Sequence, residues 1–212
     1  DAINRGFRRA TGDVLAWLNA DEQYLPGALA AAAQRFQNRP DLDVLFGHVL
    51  IVDELGAYLC HRKVQTPLLF HTWTCHLSTL SCGMFFRRRV VEEGGFLLNT
   101  TYRCGADGEW MVRLLRAGAR MAVLDRFTSV FTLHGANLGR SAVAREEKLR
   151  LRATAPAWVR WLRPVWILQH RARRWLGGCY RQEPFEFALF TSGSPDRRMV
   201  QQVRHPTFRC PE

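Results

Sequence analysis

The segment that most constrains the architecture of this chain is Asp13-Val14-Leu15-Ala16-Trp17-Leu18-Asn19-Ala20-Asp21-Glu22. Its short apolar run is typical of a buried strand. The run ends in three oxygen-bearing side chains, those of Asn19, Asp21 and Glu22. Open α/β sheets bind ligands beyond the carboxyl ends of their strands, and oxygen ligands suit a hard divalent cation. The same residue types also cap helices, so this segment alone favours a metal site and a helix cap equally.

The segments on either side of this run indicate helices. Residues 2–12 form an amphipathic pattern closed by Gly12, and Pro26 suits the first turn of a helix that follows. As a whole, the string DAINRGFRRATGDVLAWLNADEQYLPGAL resembles the middle of family 2 glycosyltransferases of the GT-A fold. In that family an Asp-x-Asp or Asn-x-Asp-Asp element follows a helix of the type A-x-N-x-G-x-x-x-A-x-G. The resemblance extends to about Arg145.

The resemblance implies a GT-A-type (Rossmann-like) α/β fold, with a mixed sheet flanked by helices. Because the chain opens inside the motif, we expect it to lack the first βα units, which hold the base and ribose of a sugar nucleotide. We expect residues 1–145 to form a partial GT-A domain with the metal and acceptor half of the site. Residues 146–212 are expected to form an Arg/Trp-rich helical extension and a terminal β-hairpin.

Asp107 is a second candidate site residue. Its string ADGEWMVRLLRAG is similar to the family element E-D-x-x-L/W-x-x-R-L-x-x-x-G, although Ala106 replaces the Glu. The resemblance implies that Asp107 is the general base, which takes a proton from the acceptor hydroxyl in an inverting transfer. At a helix start, we expect the helix dipole to depress its pKa. Glu109 is the alternative base, and a helix N-cap is the structural alternative for Asp107.

His134 ends an apolar run and precedes a Gly- and Asn-rich loop. The string FTLHGANLGRS resembles a family segment in which a His completes the metal site or contacts the diphosphate. The resemblance therefore implies a metal held mainly by Asp21 with His134, and imidazole suits Mn²⁺ better than Mg²⁺. Arg140 would add a positive charge near the phosphates, unless it is only solvated.

The remaining motif residues complete an expected donor site. Asn19 would contact the sugar nucleotide or a metal-bound water, whereas Glu22 stands where the family more often has Asp, and its reach to the metal stays open. The cofactors implied are a divalent cation, Mn²⁺ or Mg²⁺, and a nucleotide-sugar donor. The expected acceptor is a glycan or a lipid-linked glycan.

The charge of the chain is strongly positive. It has 212 residues and a formal net charge of +11, from 30 Lys and Arg against 19 Asp and Glu. Such charge suits an anionic membrane, phosphate-rich substrates or nucleic acid. Zinc-finger spacing and an aromatic RNA-binding signature are absent from the sequence, which disfavours nucleic acid. The rival function is a non-catalytic fragment that binds a membrane or a polyanion.

The tail alternates tryptophan and arginine, with Trp158, Trp161, Trp166 and Trp175 among the arginines of residues 160–174. Two interpretations are equally favoured: helices packed on the catalytic domain with extended arginines, or a segment held on an anionic inner leaflet. No uninterrupted run of eighteen apolar residues occurs, so no standard transmembrane helix is expected. We expect a cytoplasmic protein, either free or peripheral on the inner face of the membrane.

The cysteines also favour a cytosolic setting. None of the six forms a C-x-x-C pair, and most lie in apolar segments, which favours reduced thiols over a disulfide framework. The nearest approach to a zinc motif, between Cys60 and His76, matches no familiar spacing and is disfavoured.

Overall fold

The structure, a computed structural model, describes residues 1–135 and 141–210. Its elements alternate between helices and strands, as an α/β fold requires. In chain order they are α1 (Ala2–Arg9), β1 (Val14–Leu15), β2 (Gln23–Tyr24), α2 (Ala28–Asn38), β3 (Val44–Val52), β4 (Tyr58–Arg62), α3 (Leu69–Thr74), a 3₁₀ turn (Ser81–Gly83), β5 (Met84–Arg87), α4 (Arg89–Glu92), α5 (Ala106–Arg116), β6 (Met121–Thr132), α6 (Ala142–Ala153), α7 (Ala157–Trp161), α8 (Arg163–Leu176), β7 (Phe185–Thr191) and β8 (Ser194–Val203).

The main sheet is mixed, and β3 lies at its centre. Its strand order is β1-β5-β3-β6-β2, and β4 also pairs with β3. β3 runs parallel to β6 and antiparallel to β4 and β5. Every residue of β3 is buried, which explains its almost continuous apolar sequence. The predicted mixed sheet flanked by helices is therefore confirmed.

One expected pair of strands is a single strand. The apolar runs at 119–124 and 127–133 are typical of two separate strands, but β6 continues from Met121 through the polar Asp125-Arg126 step to Thr132. Its pairing with β3 shifts register between Gly47 and Val49, which accommodates the step without ending the strand. β6 therefore delivers the residues that follow it to the carboxyl end of the sheet.

Aromatic rings fix the segment that carries the Asn-x-Asp motif. Trp17 lies in edge contact with Phe7, Phe86 and Trp110, at centroid distances of 5.5, 6.2 and 6.1 Å. Trp110 is completely buried in α5. Edge-to-face aromatic pairs add about 1 kcal/mol each beyond their burial. The start of the motif is thus attached to α1, β5 and α5 at once.

The helix that precedes the motif is held by a buried amide. Asn4 is 4 % exposed, and its Nδ2 donates to the Leu98 carbonyl at 2.8 Å while its Oδ1 accepts the Leu98 N–H at 2.9 Å. Both hydrogen-bonding groups of the loop residue are satisfied by one side chain, as buried polar groups require. This is a physical reason for an Asn in the α1 pattern.

The C-terminal segment packs on the sheet. The expected hairpin is present as β7 and β8, and its Phe187 and Leu189 share a buried cluster with Leu50 and Val130. Gln23 bonds both backbone groups of Phe190, at 2.8 and 3.0 Å. The division into domains at residue 145 stays a proposal.

The expectation that all cysteines are reduced is wrong for two of them. Cys60 of β4 and Cys210 form a disulfide across 150 residues of chain. Spacing alone cannot indicate such a distant partner, whereas pairing of β4 with the C-terminal segment through His61 N–H and the Thr207 carbonyl brings the two together. In the described part of the chain, no helix has the length and apolar character needed to cross a membrane.

Candidate active site

Asp21 and His134 meet at the carboxyl end of the sheet. Antiparallel pairing of β2 with β6 carries Asp21 to the end of β6, where Thr132 Oγ1 donates to the Asp21 carbonyl at 2.6 Å. The Nε2 atom of His134 lies 3.0 Å from Oδ2 of Asp21. Both side chains are partly exposed, at 27 % for His134 and 36 % for Asp21. The two predicted metal ligands are therefore neighbours and accessible to a ligand.

Glu22 lies in the same turn with a different set of contacts. Its Oε2 accepts the Asn19 N–H at 2.8 Å, and the residue is 8 % exposed. Burial raises the pKa of Glu22, although the hydrogen bonds from Asn19 oppose the rise. Within residues 1–135 and 141–210, its Oε1 has no hydrogen-bond partner. Glu22 thus closes the turn that presents Asp21, and it does not cap the helix that follows, whose N-cap is Gly27.

A cavity of about 520 Å³ brings four of the predicted site residues together. Asn19, Asp21, Asp107 and His134 all contribute to its wall, together with side chains that sequence reasoning did not single out. Glu22 and Glu109 are not among the described residues that line it. Arg140 lies outside the described residues.

Asp107 occupies the first turn of α5, as predicted. Its Oδ1 accepts the Gly108 N–H at 2.8 Å. Burial raises the pKa of Asp107, so the expected depression by the helix dipole is wrong: desolvation outweighs the hydrogen bonds at the helix start. A raised pKa makes the carboxylate a stronger base, which favours proton abstraction. Glu109 instead bonds Arg113 through both oxygens, at 2.9 and 3.1 Å.

The loop before α5 is positioned by Glu147, which sequence reasoning missed. Glu147 is 6 % exposed, and its carboxylate accepts the N–H groups of Arg103, Cys104 and Gly105 at 2.6, 2.9 and 2.8 Å. The side chain of Arg103 lines the cavity, where it supplies a cation near the predicted donor site. A buried carboxylate in a helix far along the sequence gives no local signal of this role.

The donor set suits a divalent metal ion. A carboxylate and an imidazole are the ligands that Mn²⁺ and Zn²⁺ accept readily, and Asn19 adds an amide oxygen in the same cavity. The 3.0 Å contact between Asp21 and His134 shows that one position can lie within reach of both side chains. Asp21 and His134 therefore fit a metal, and Asn19 and Arg103 line the same cavity.

Comparison with solved structures identifies the class of fold. The chain is similar to S. aureus TarS (residues 1–349) in complex with UDP-GlcNAc, with a TM-score of 0.55 and 16 % identity over 82 % of this chain and 52 % of that one. It is also similar to another structure of S. aureus TarS, with a TM-score of 0.51 and 14 % identity, over 82 % of this chain and 30 % of that one. The predicted GT-A fold is confirmed.

Sequence comparisons show which proteins the chain is similar to. Residues 1–96 match the model of glycosyl transferase family 2. A curated relative, the uncharacterized glycosyltransferase alr2836 of Nostoc sp., is 25 % identical over 162 residues, which are 73 % of this chain. The chain spans 50 % of the length of that relative. Over residues 1–96 the chain is thus similar to family 2 glycosyltransferases, the family that its motifs resemble.

Proposed function

We propose that this chain forms part of an inverting, metal-dependent glycosyltransferase that moves a sugar from a nucleotide sugar to a glycan or lipid-linked acceptor. The observation that carries the proposal is the 3.0 Å contact between Asp21 and His134 in the same cavity as Asp107. Two groups suited to a metal and one basic carboxylate are the parts that a single-step transfer needs.

The reaction assigns a separate task to each residue. Asp107 takes the proton of the acceptor hydroxyl, and the hydroxyl oxygen attacks the anomeric carbon of the donor sugar. The bond from that carbon to the diphosphate breaks on the opposite side, and its electron pair leaves with the phosphate oxygen. Asp21 and His134 would hold a divalent cation, Mn²⁺ or Mg²⁺, which neutralises the charge on the leaving group. Asn19 would orient the donor.

The test is a transfer assay on the protein with any sequence that precedes Asp1 in its gene. Donor turnover is measured with a panel of nucleotide sugars, UDP-GlcNAc included, in Mn²⁺. We expect Asp21→Ala and Asp107→Asn each to lower turnover by at least about a hundredfold. Asp196→Asn, an equal change of charge at an exposed position of β8, should leave it unchanged. Full activity in both site variants would refute the assignment.

We also propose that the protein rests peripherally on an anionic membrane surface, such as the inner leaflet. The supporting observation is an uncovered apolar stripe on α8. Its members are exposed and fall at helical spacing: Val165, Leu168, Trp175 and Leu176. Trp161 of α7 is 82 % exposed, and Arg160 and Arg171 are exposed on the same two helices. Exposed tryptophan beside arginine is the composition of an interfacial helix.

Vesicle sedimentation tests the membrane proposal. The protein should sediment with vesicles that contain phosphatidylglycerol and not with phosphatidylcholine alone. The double change Leu168→Ser and Trp175→Ser should abolish this sedimentation. Leu55→Ser, which removes an apolar side chain that is 76 % exposed in the β3–β4 turn, is the matched control. Equal sedimentation of the double variant and the control would refute the proposal.

A further inference from the structure

A second cavity adjoins the candidate active site. It has a volume of about 430 Å³, and Leu80 and Phe131 line both it and the cavity of Asp21 and Asp107. Its own wall brings together Arg62, His76 and Arg174. The candidate active site therefore has a cationic cavity on the other side of Leu80 and Phe131.

Arg174 is an unpaired cation in this second cavity. It is 8 % exposed. Its guanidinium lies 5.1 Å from the centre of the Tyr180 ring. Within the described residues, its guanidinium has no carboxylate within ion-pair distance and donates no hydrogen bond. Buried charges in proteins are normally paired, because an unpaired buried charge is costly. An anion in the cavity would pair with Arg174, and no described residue supplies one.

Arg62 and His76 are further hydrogen-bond donors of the cavity that have no carboxylate beside them there. Arg62 is exposed as a whole residue, but desolvation of its guanidinium and the neighbouring Arg174 lower its pKa. The pKa of His76 is lowered to about 4 by burial and by the charges of Lys148, Arg62 and Arg174. Among the described residues that line the cavity, no Asp or Glu occurs. Each of the three side chains can donate hydrogen bonds, and none of them has a carboxylate neighbour in the cavity.

A buried hydroxyl adds a further donor. Thr79 lines the cavity and is 4 % exposed, and its Oγ1 has no hydrogen-bond partner in the described part of the chain. A buried hydroxyl without a hydrogen-bond partner is uncommon, because it has lost its hydrogen bonds to water and has gained none in the protein. A ligand oxygen in the cavity would satisfy Thr79 and Arg174 together.

We propose that this second cavity binds a phosphate group of the acceptor, held by Arg62, Arg174, His76 and Thr79. A phosphate offers several acceptor oxygens, and the planar guanidinium of Arg binds such oxygens in pairs. The assignment to the acceptor rests on the proposed glycosyl transfer, whereas the phosphate site itself does not. The shared wall would place the phosphate beside the sugar-transfer cavity.

His76 belongs to a cluster of three histidines, and the charges around this cluster do not favour a metal. Ligand atoms of His71, His76 and His170 lie within 4.8 Å of one another, which is a geometry that a transition metal could exploit. Lys148 and Arg163 act on His71, and Arg174 acts on both His76 and His170. Their positive charges oppose a divalent cation and favour an anion.

Calorimetry on the 212-residue chain tests the site with sn-glycerol 3-phosphate as the probe and glycerol as its uncharged control. We expect the phosphate ester to bind and glycerol not to bind. Arg174→Gln and Arg62→Gln should each weaken binding by about tenfold or more, because each removes a charge-assisted contact. Arg171→Gln is the matched control, since Arg171 is exposed on the same helix.

Three results would overturn the phosphate site itself: no binding of the ester, equal weakening in Arg171→Gln, or unchanged binding in both site variants. Arg62 is exposed, so its variant should fold even if Arg174→Gln does not, and thermal unfolding verifies this. Displacement of the ester by UDP with Mn²⁺ would assign the site to the donor and refute an acceptor site. Retention would support it. None of these readouts measures sugar transfer, so their failure is distinct from failure of the proposed function.

Discussion

Nε2 of His134 lies 3.0 Å from Oδ2 of Asp21, although 113 positions separate the two residues. The contact depends on β2, a strand of only two residues, which pairs Gln23 with Val130 and Tyr24 with Ser129. That pairing brings the end of the Asn-x-Asp motif to the end of β6. A short piece of sheet therefore assembles the candidate metal site from distant parts of the chain.

Replacing His134 should weaken metal binding. We expect His134→Ala to lower the affinity for Mn²⁺ by about tenfold to a hundredfold, because it removes one of two ligands that share a position. Asp21→Asn should have at least the same effect, since it also removes a negative charge. Calorimetric titration with MnCl₂ measures both.

His205→Ala provides the control for that titration, because His205 is exposed near the C-terminus. Equal Mn²⁺ affinity in His134→Ala, Asp21→Asn and the control would mean that the 3.0 Å contact is only a surface ion pair. The chain would then need another metal position, and the proposed function would lose its main support.

The role of Glu147 predicts a large effect on stability. Glu147→Gln should lower the free energy of unfolding by about 2–4 kcal/mol, because an amide nitrogen would face backbone N–H groups that now donate to a carboxylate. Glu146→Gln, an exposed neighbour with the same change of charge, should cost less than about 0.5 kcal/mol. Urea denaturation of both variants measures the difference.

The same residue predicts a loss of stability in acid. Burial tends to raise the pKa of Glu147, but the three backbone N–H groups and Arg150 lower it overall. A carboxylate with a lowered pKa stabilises the folded state above its unfolded pKa of 4.5, and this contribution is lost as the pH falls further. Below pH 4.5 the wild type and Glu147→Gln should therefore converge in stability. A constant difference down to pH 2 would contradict this explanation.

Parts of the fold were predictable because local pattern and tertiary environment agree. β3 is buried along its whole length, so its sequence is apolar throughout, and α5 carries its apolar residues on the side that packs in the core. The break expected at Asp125-Arg126 was wrong because polarity depends on exposure, whereas a strand persists as long as its backbone pairs with a neighbour. The pattern of apolar residues indicates which side chains are exposed, but it does not indicate where the backbone pairing of a strand ends.

The candidate site was predictable only in part, and its contacts explain why. The motif identified Asp21, Asp107 and His134, which share a cavity. The function of Glu22 was ambiguous because an acidic residue in a turn can either bind a ligand or accept a backbone hydrogen bond. The same sequence is compatible with both roles. Arg174 was not predicted, because its sequence does not reveal that the side chain is buried with no carboxylate partner among the described residues.

Asp107→Asn should separate activity from stability. We expect turnover to fall by about a hundredfold to ten-thousandfold, because the base for the acceptor hydroxyl is lost. Burial raises the folded pKa of Asp107 above its ordinary value of 3.8. A carboxylate of this kind destabilises the folded state as the pH rises above 3.8, so Asp107→Asn should be at least as stable as the wild type at pH 7.

Thermal unfolding and the pH dependence of turnover test this together. The wild type should gain activity through an apparent pKa above 3.8, in line with the raised pKa of Asp107. Glu109→Gln is the comparison, because Glu109 occupies the same turn and bonds Arg113. If Glu109→Gln abolished turnover while Asp107→Asn preserved it, Glu109 would be the base.

The disulfide between Cys60 and Cys210 should contribute strongly to stability. It joins β4 to the C-terminal segment across a separation of 150 residues. A loop of this length loses the equivalent of about 5 kcal/mol of unfolded-state entropy when it is closed, and measured effects are usually 2–4 kcal/mol. We therefore expect a reducing agent to lower the unfolding midpoint in urea.

The Cys60→Ser and Cys210→Ser double variant should unfold at the same urea concentration as the reduced wild type and should not respond to reductant. Cys179→Ser removes a buried free thiol and should still respond. A wild type whose urea midpoint is the same with and without reductant would contradict a stabilising bond.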